Sequence, residues 1–194
     1  MSMLISASSI MNRAYAGNVY FKDKNFRKNS SNHDTVSADR KAMVRALERL
    51  KDLDFESEEP NDTKSVYNTV TSYLDIYNNA VDSASSSNSS DIRRTGKNMK
   101  ALMKQYESSL GEIGIRLKSN GTVEVDKTKF KKAAGSKVSR VFGDSDYLTE
   151  MNKLMKKLRN QVNREPSVQT VQTKKTTDES LSTETAGGSL NLYV

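Results

Sequence analysis

Side chains able to do acid–base or metal chemistry are few and scattered in this chain of 194 residues. Cysteine is absent, which excludes disulfides and thiolate metal sites. The single histidine, His33, lies in the polar N-terminal part of the chain, so we expect no histidine-based catalytic triad and no cluster of histidine metal ligands. The carboxylates between Asp52 and Glu59 lack the ligand order and the glycine of a calcium-binding loop, so we interpret them as an acidic linker. The sequence therefore predicts no catalytic residue, no metal site and no cofactor, and a protein that is not an enzyme.

Tyrosine and methionine side chains are instead the candidates for contacts with other proteins. Both types are more typical of a packed core than of a ligand site, but flexible methionine-rich faces also suit partner binding. Several of them fall at helical spacing in the middle and towards the end of the chain. The candidate interaction residues are Tyr77, Met99, Met103, Tyr106, Met151 and Met155.

The composition is that of a helical protein with much surface for the size of its core. Hydrophobic residues make up 35% of the chain and the mean hydropathy is −0.74. The formal charge of +7 fits either solvated helix faces or a surface that binds nucleic acid or an acidic partner. No apolar run approaches the ~18 residues of a membrane-spanning helix, and the first residues lack the pattern of a secretory signal. We therefore expect no membrane span.

Apolar residues recur at steps of three and four residues in several stretches, which is typical of the buried face of an α-helix. The first such helix is predicted to begin after an N-cap at Ser37 and to end within residues 55–60. Heptad-like stripes then predict helices over about residues 62–84, 91–110 and 146–163. The short link between the first two of these indicates that they lie antiparallel. Gly96 indicates either a close helix–helix contact or simple tolerance of glycine.

Between residues 115 and 125 the apolar period changes from 3.6 to 2. Asn120-Gly121 lies between the two alternating segments, and this pair is well suited to positive φ at both centres of a type I′ turn. The sequence therefore predicts a β-hairpin. A short helix is predicted to follow over residues 127–134 and to end at Gly135.

These patterns divide the chain into three parts. Residues 1–34 are polar, with apolar residues at no clear period, and are predicted to form a flexible N-terminal arm. Residues 35–165 are predicted to form a helical domain that contains the hairpin. Residues 166–194 are rich in serine and threonine and are predicted to be disordered. The predicted fold is mainly α, an antiparallel helical bundle or coiled coil with one β-hairpin.

An ordered series of short motifs runs through residues 62–162. In order, the motifs are Tyr77-Asn78-Asn79, Leu110-Gly111-Glu112-Ile113-Gly114-Ile115, the hairpin around Asn120-Gly121, Lys129-Phe130 and Val141-Phe142-Gly143. Their order and spacing resemble the carboxy-terminal part of bacterial flagellar filament-cap (hook-associated) proteins. The resemblance implies a short relative of that family, without its long terminal coiled-coil arms and large head domains. It also implies a role in filament capping, with assembly into a ring at the distal end.

Residue patterns and resemblance together lead to one functional hypothesis and one alternative. The hypothesis is a structural or assembly protein that acts through helix–helix contacts, with a flagellin-like protein or further copies of itself as partners and with no small-molecule substrate. The alternative is a basic module that binds nucleic acid or an acidic partner. The location implied is the flagellum outside a bacterial cell, or the bacterial cytoplasm.

Overall fold

Serine and aspartate side chains begin most of the long helices in the computed structural model, which describes residues 6–57 and 59–165. Ser31, Ser89 and Asp144 each accept from a backbone N–H in the first turn of the helix that follows, which satisfies a donor that has no partner within the helix. The elements are α1 (Ala7–Ala14), a 3₁₀ helix (Val19–Lys22), α2 (Lys24–Asn29), α3 (Asn32–Lys51), α4 (Pro60–Ser85), α5 (Ser90–Gln105), α6 (Glu107–Glu112), β1 (Ile115–Leu117), β2 (Val123–Val125), α7 (Lys127–Lys131), α8 (Gly135–Phe142) and α9 (Ser145–Val162).

Helices α3, α4, α5 and α9 form a four-helix bundle in which each helix packs against two of the others. Asn32 at the start of α3 donates to the carbonyl of Ser83 at the end of α4. Thr95 near the start of α5 donates to Gln161 near the end of α9. Contacts between the start of one helix and the end of the next make these neighbours antiparallel. The prediction of a mainly α helical bundle with one β-hairpin is confirmed.

Gly96 lies where α4 and α5 approach each other closely. A Cβ at this position would lie 3.0 Å from the Cβ of Ala84. The close helix–helix contact is therefore the correct one of the two explanations for a glycine inside α5.

The β-hairpin lies beside α4 and α5 rather than beyond the end of the bundle. Its two strands are antiparallel, with Leu117 opposite Val123. The predicted type I′ turn is wrong. The N–H of Gly121 bonds to the carbonyl of Lys118, which places residues 119 and 120 at the turn centre, and Gly121 follows with φ of +85°. This is the three-residue hairpin loop in which a glycine in the left-handed region completes the turn.

Residues 6–34 are largely helical and pack on the bundle, where the sequence predicted a flexible N-terminal arm. Helix α1 packs against α3 and α4, and the side chains of Ile10, Ala14, Tyr15 and Phe21 are buried. Their spacing shows no helical period because the segment changes direction at Gly17, which has φ of +82°.

Three predicted helix boundaries also differ from the structure. Helix α3 begins at Asn32 because Ser31, and not Ser37, is its N-cap. The helix predicted over 91–110 is interrupted at Tyr106, which separates α5 from α6. Gly135 begins α8 instead of ending α7; a Cβ there would lie 1.8 Å from the carbonyl oxygen of Phe55, so only glycine fits.

The predicted tail at residues 166–194 lies outside the described residues. Among the residues that are described, no helix is long and apolar enough to cross a membrane.

Candidate functional site

Groups that would support catalysis or metal binding do not converge in the described part of the chain. Within residues 6–57 and 59–165, no cluster of three or more histidine or acidic side chains is placed to hold a metal ion. The Nε2 atom of His33 lies 3.1 Å from the carbonyl oxygen of Val162, so the histidine links the start of α3 to the end of α9. Its contacts are those of a structural residue.

The Tyr77-Asn78 motif holds the hairpin against α4. The amide of Asn78 pairs with both backbone groups of Val123: its Nδ2 donates to the carbonyl oxygen at 2.9 Å, and its Oδ1 accepts from the N–H at 2.7 Å. Lys118 bonds to Thr122 in the ladder, so the polar groups of Val123 point away from β1, towards α4. Asn78 thus takes the place of a third strand at the open edge of β2. The hydroxyl of Tyr77 donates to the carbonyl of Gly121 at 2.9 Å.

The next residue in α4, Asn79, holds the N-terminal segment on another face. Its amide donates to the hydroxyl of Tyr15 at 3.0 Å, and that hydroxyl donates to Asp39 at 2.8 Å. Arg27 pairs with both carboxylate oxygens of Asp39, at 2.6 and 2.8 Å, and donates to the carbonyl of Asn79. Asp39 has no exposed surface. We call Tyr15, Arg27, Asp39 and Asn79 the buried polar cluster.

Burial and neighbouring charges shift the pKa values of groups at these two junctions. The pKa of Tyr15 is raised above its usual value by burial and by the charge of Asp39, and burial raises the pKa of Tyr77. Burial lowers the pKa of Arg27, but its hydrogen bonds to Asp39 and the charge of that carboxylate outweigh the effect and leave the pKa raised. Both tyrosines are therefore neutral hydrogen-bond donors near neutral pH.

The structure places five of the six candidate interaction residues in the core, where they have no surface to offer a partner. They are Tyr77, Met99, Met103, Met151 and Met155. They are buried because α5 and α9 pack on each other and on the rest of the bundle, so each stripe is already covered within the chain. Tyr106 is part-exposed and stacks edge-on against Tyr147, whose ring centroid is 5.1 Å away.

Exposed large apolar side chains concentrate in the N-terminal segment instead. Val19, Tyr20 and Phe26 form a group that we call the aromatic knob, with exposed fractions of 37%, 69% and 41%. The ring of Phe26 lies 5.5 Å from that of Tyr20 and 5.1 Å from that of the buried Phe21. The knob is thus an ordered projection anchored by an aromatic residue beneath it.

An open cavity of about 850 Å³ lies at the other end of α4, between the start of that helix, α7 and the start of α8. We call it the apolar groove. Its apolar lining is provided by Phe55, Val66, Tyr67, Phe130, Ala133 and Val138. It has the volume of a site for a small molecule or for side chains of a partner, and Glu56, Lys64 and Lys131 are the charged residues of its lining.

No family model, no curated protein and no solved structure matches this chain. The resemblance to flagellar filament-cap proteins therefore rests on the order of the sequence motifs alone.

The sequence does contain a signal for the aromatic knob, although its periodicity hides it. Three aromatic residues fall within residues 20–26, in a chain in which aromatic residues make up 7% of the total. Local aromatic density, rather than helical spacing, is the pattern that draws attention to this segment.

Proposed function

We propose that this chain is a non-enzymatic assembly protein related to the flagellar filament caps, and that it acts through protein–protein contacts. The observation that carries the proposal is the junction between α4 and the hairpin. The motifs that the resemblance rests on, Tyr77-Asn78 and the hairpin around Gly121, are more than 40 residues apart in sequence and are bonded to each other directly. Because these motifs bond to each other, the fold requires them together, and this gives a physical reason for their occurrence in one chain.

The use of the buried polar groups supports a scaffold rather than an enzyme. In the described residues, no buried side-chain nitrogen or oxygen lacks a hydrogen-bond partner. Asp39, Asn78 and Gln161 each join two separate elements of the fold. These hydrogen bonds connect parts of the fold to each other, which is the use of buried polar groups that a scaffold needs.

Free apolar surface lies where a partner can reach it. The aromatic knob projects from one part of the surface, and the apolar groove opens at another. Exposed aromatic residues are enriched in protein interfaces because they bury much area and lose little conformational entropy. Both features support function through contacts with protein.

Association with flagella in the source bacterium tests this proposal. Filaments are sheared from cells that carry a tagged chain, washed and probed for the tag, with immunogold labelling to locate it along the filament. We expect the chain in the filament fraction, concentrated at the distal end, and its loss from that fraction in a strain that makes no filaments. A chain found wholly in the cytoplasm of flagellated cells contradicts the proposal.

The basic alternative is favoured by one observation, the surface of α7 and the residue after it. Lys127, Lys129, Lys131 and Lys132 are all exposed. If they bind nucleic acid phosphates, affinity for a DNA duplex will fall steeply between about 50 and 200 mM salt, and each lysine replaced by alanine will lower the salt dependence. Under the assembly role we expect no binding to DNA at about 150 mM salt.

A further inference from the structure

We propose that the apolar groove binds a small amphipathic carboxylate, with the apolar body of the ligand among the aromatic side chains and its carboxylate at Lys64 and Lys131. The inference goes beyond the assembly role and does not depend on it. A ligand of this kind would compete with a protein partner for the same surface. Three features of the groove support the inference: fixed walls, an apolar lining and two lysines on one wall.

The walls of the apolar groove are fixed by their own hydrogen bonds and packing. On the loop that follows α3, Asp54 accepts from the N–H groups of Glu56 and Ser57, at 3.0 and 3.2 Å. The hydroxyl of Ser57 donates to Asp62 in the first turn of α4, at 2.7 Å. The buried Phe55 packs against the start of α8. A preformed site loses little conformational entropy when it binds a small molecule.

The apolar lining suits a chain or ring system larger than one side chain. The cavity volume of about 850 Å³ lies within the range of small-molecule sites. Phe55, Tyr67 and Phe130 line it, and the rings of Tyr67 and Phe130 are tilted by 42° with centroids 5.6 Å apart. Burial against these rings supplies affinity whatever the charge of the ligand. Selection by charge is therefore left to the polar residues of the lining.

Two lysines put positive charge on the wall that α4 and α7 form. The Nζ atom of Lys131 lies 5.1 Å from the centroid of the Tyr67 ring. Lys64 precedes Tyr67 by three residues in α4, so these two side chains lie on the same face of the helix. Both lysines are exposed, and no carboxylate of the described residues forms a salt bridge with either. Their ammonium groups can donate to a carboxylate at the mouth of the groove.

Negative charge near the groove is less available to a ligand. Among the described residues, Glu56 is the acidic residue of the lining, and it lies on the loop after α3 rather than on the wall with the lysines. Asp54 and Asp62 accept hydrogen bonds within this loop and at the start of α4. Glu59 is exposed and lies outside the lining. Two ammonium groups against one carboxylate favour an anion over a cation.

Isothermal titration calorimetry of the full chain tests the inference with octanoate, octanol and octylammonium. The three molecules have the same alkyl chain and differ in the charge of the head group. We expect octanoate to bind most tightly and octylammonium least, with at least about a fivefold difference in affinity between octanoate and octanol.

A pair of lysine variants separates the site from the overall charge of the chain. Lys64→Gln with Lys131→Gln removes the proposed contacts to the carboxylate, so affinity for octanoate should fall about tenfold, with little change for octanol. Lys127→Gln with Lys132→Gln removes the same charge from exposed lysines outside the lining and should bind octanoate as the wild type does. Circular dichroism and melting of each variant establish that it is folded.

Glu56→Gln should act in the opposite direction, because it removes the negative charge of the lining. We expect affinity for octanoate to rise about twofold to threefold and affinity for octylammonium to fall. Amide chemical shifts during the octanoate titration locate the site. The shifts should change at Tyr67 and Ala133, which line the groove, and stay constant at Tyr20 in the aromatic knob.

The inference is overturned if octanoate fails to bind at up to about 10 mM, or if it binds no more tightly than octanol. It is also overturned if the variant at Lys64 and Lys131 keeps the affinity of the wild type, or if the shift changes map to the aromatic knob. These measurements use purified chain and small molecules. Filament association in whole cells remains an independent measurement, so failure here and failure of the proposed function are distinguishable.

Discussion

The hairpin and the N-terminal segment are both held on α4 by neighbouring residues, but by different chemistry. The hairpin is held by neutral groups, the amide of Asn78 and the hydroxyl of Tyr77 bonded to backbone. The N-terminal segment is held by the ion pair of Arg27 and Asp39, with Tyr15 between Asp39 and Asn79. Neutral bonds to backbone each contribute about 1 kcal/mol, whereas breaking one side of a buried ion pair costs several times as much.

Because the chemistry differs, the two regions should detach from α4 under different conditions. Removing one hairpin bond leaves a neutral backbone group without that partner, but removing one charge of the buried polar cluster leaves the other charge without its ion-pair partner. The predictions below use this contrast, beginning with a condition that acts on both regions at once.

High pH should destabilise both regions, because the N-terminal segment depends on the buried phenol of Tyr15 and the hairpin depends on that of Tyr77. The pKa values of Tyr15, Tyr73, Tyr77 and Tyr147 are all raised by burial. Their contribution to stability is complete below the unfolded pKa of about 10 and is lost as the pH rises towards the folded pKa. At about pH 11 each should cost about 1.4 kcal/mol, or together about 5 to 6 kcal/mol.

Urea denaturation from about pH 8 to pH 11, followed by phenolate absorbance and circular dichroism, measures this loss. Tyr77→Phe should show a smaller loss over the same range. Equal free energies of unfolding at the two extremes of pH would rule out the buried phenols as the cause.

Asp39→Ala should be the most damaging substitution in the N-terminal region. It leaves the guanidinium of Arg27 buried without its partner and is expected to lower the free energy of unfolding by about 3 to 5 kcal/mol. Replacing both residues, Arg27→Met with Asp39→Leu, should cost much less than the sum of the single changes. Asp34→Ala, at an exposed N-terminal position of α3, is the control. A double variant as unstable as the sum would show that the pair does not act as a unit.

Asn78→Ala should weaken the hairpin and leave the N-terminal segment in place. Two backbone groups of Val123 lose their partner, which is expected to cost about 2 to 3 kcal/mol. Hydrogen exchange should rise at Val123 and its neighbours, with little change at Tyr15. Asn152→Ala, which removes a bond within α9 alone, should cost under about 1 kcal/mol. Uniform exchange throughout the chain would mean that the hairpin does not open by itself.

The smallest effects are expected at two glycines that have nearly the same φ angle. Gly17 has φ of +82° in the N-terminal segment, and Gly121 has φ of +85° in the hairpin. Gly17→Ala meets open space and should cost only the backbone strain of about 1 to 2 kcal/mol. Gly121→Ala adds a clash with the Lys100 side chain, 2.4 Å away, and should cost more, although that side chain can move. Thermal melting ranks the two, and equal losses would mean that Lys100 moves aside freely.

The hairpin could be predicted from the sequence because its signals are local. Alternating apolar residues and an Asn-Gly pair lie within eleven residues, and Ile115 at the start of the first strand is buried. The turn type could not be predicted in the same way. It depends on the register, and Tyr77 and Asn78, more than 40 residues away, bond to Gly121 and Val123 in the register that the structure adopts.

The packing of the N-terminal segment could not be predicted because its causes are distant in sequence. Arg27 and Asp39 resemble ordinary surface charges until the fold brings them together, and Tyr15 and Asn79 are 64 residues apart. The methionine and tyrosine stripes were identified correctly as apolar faces. Whether another chain or another helix covers such a face is decided by the packing of the bundle, and for five of the six candidates it is another helix.

Asn78 and Asn79 make contacts on different sides of α4, and this restricts where the chain can accept an insertion. A residue inserted in α4 before Tyr77 would turn everything after it by about 100° and advance it by about 1.5 Å. The rotation would carry Asn78 away from β2 and Asn79 away from Tyr15 in a single step. An insertion inside α4 would therefore break both sets of hydrogen bonds at once. Length variation is tolerable only where the chain turns, as between α3 and α4 or between α4 and α5.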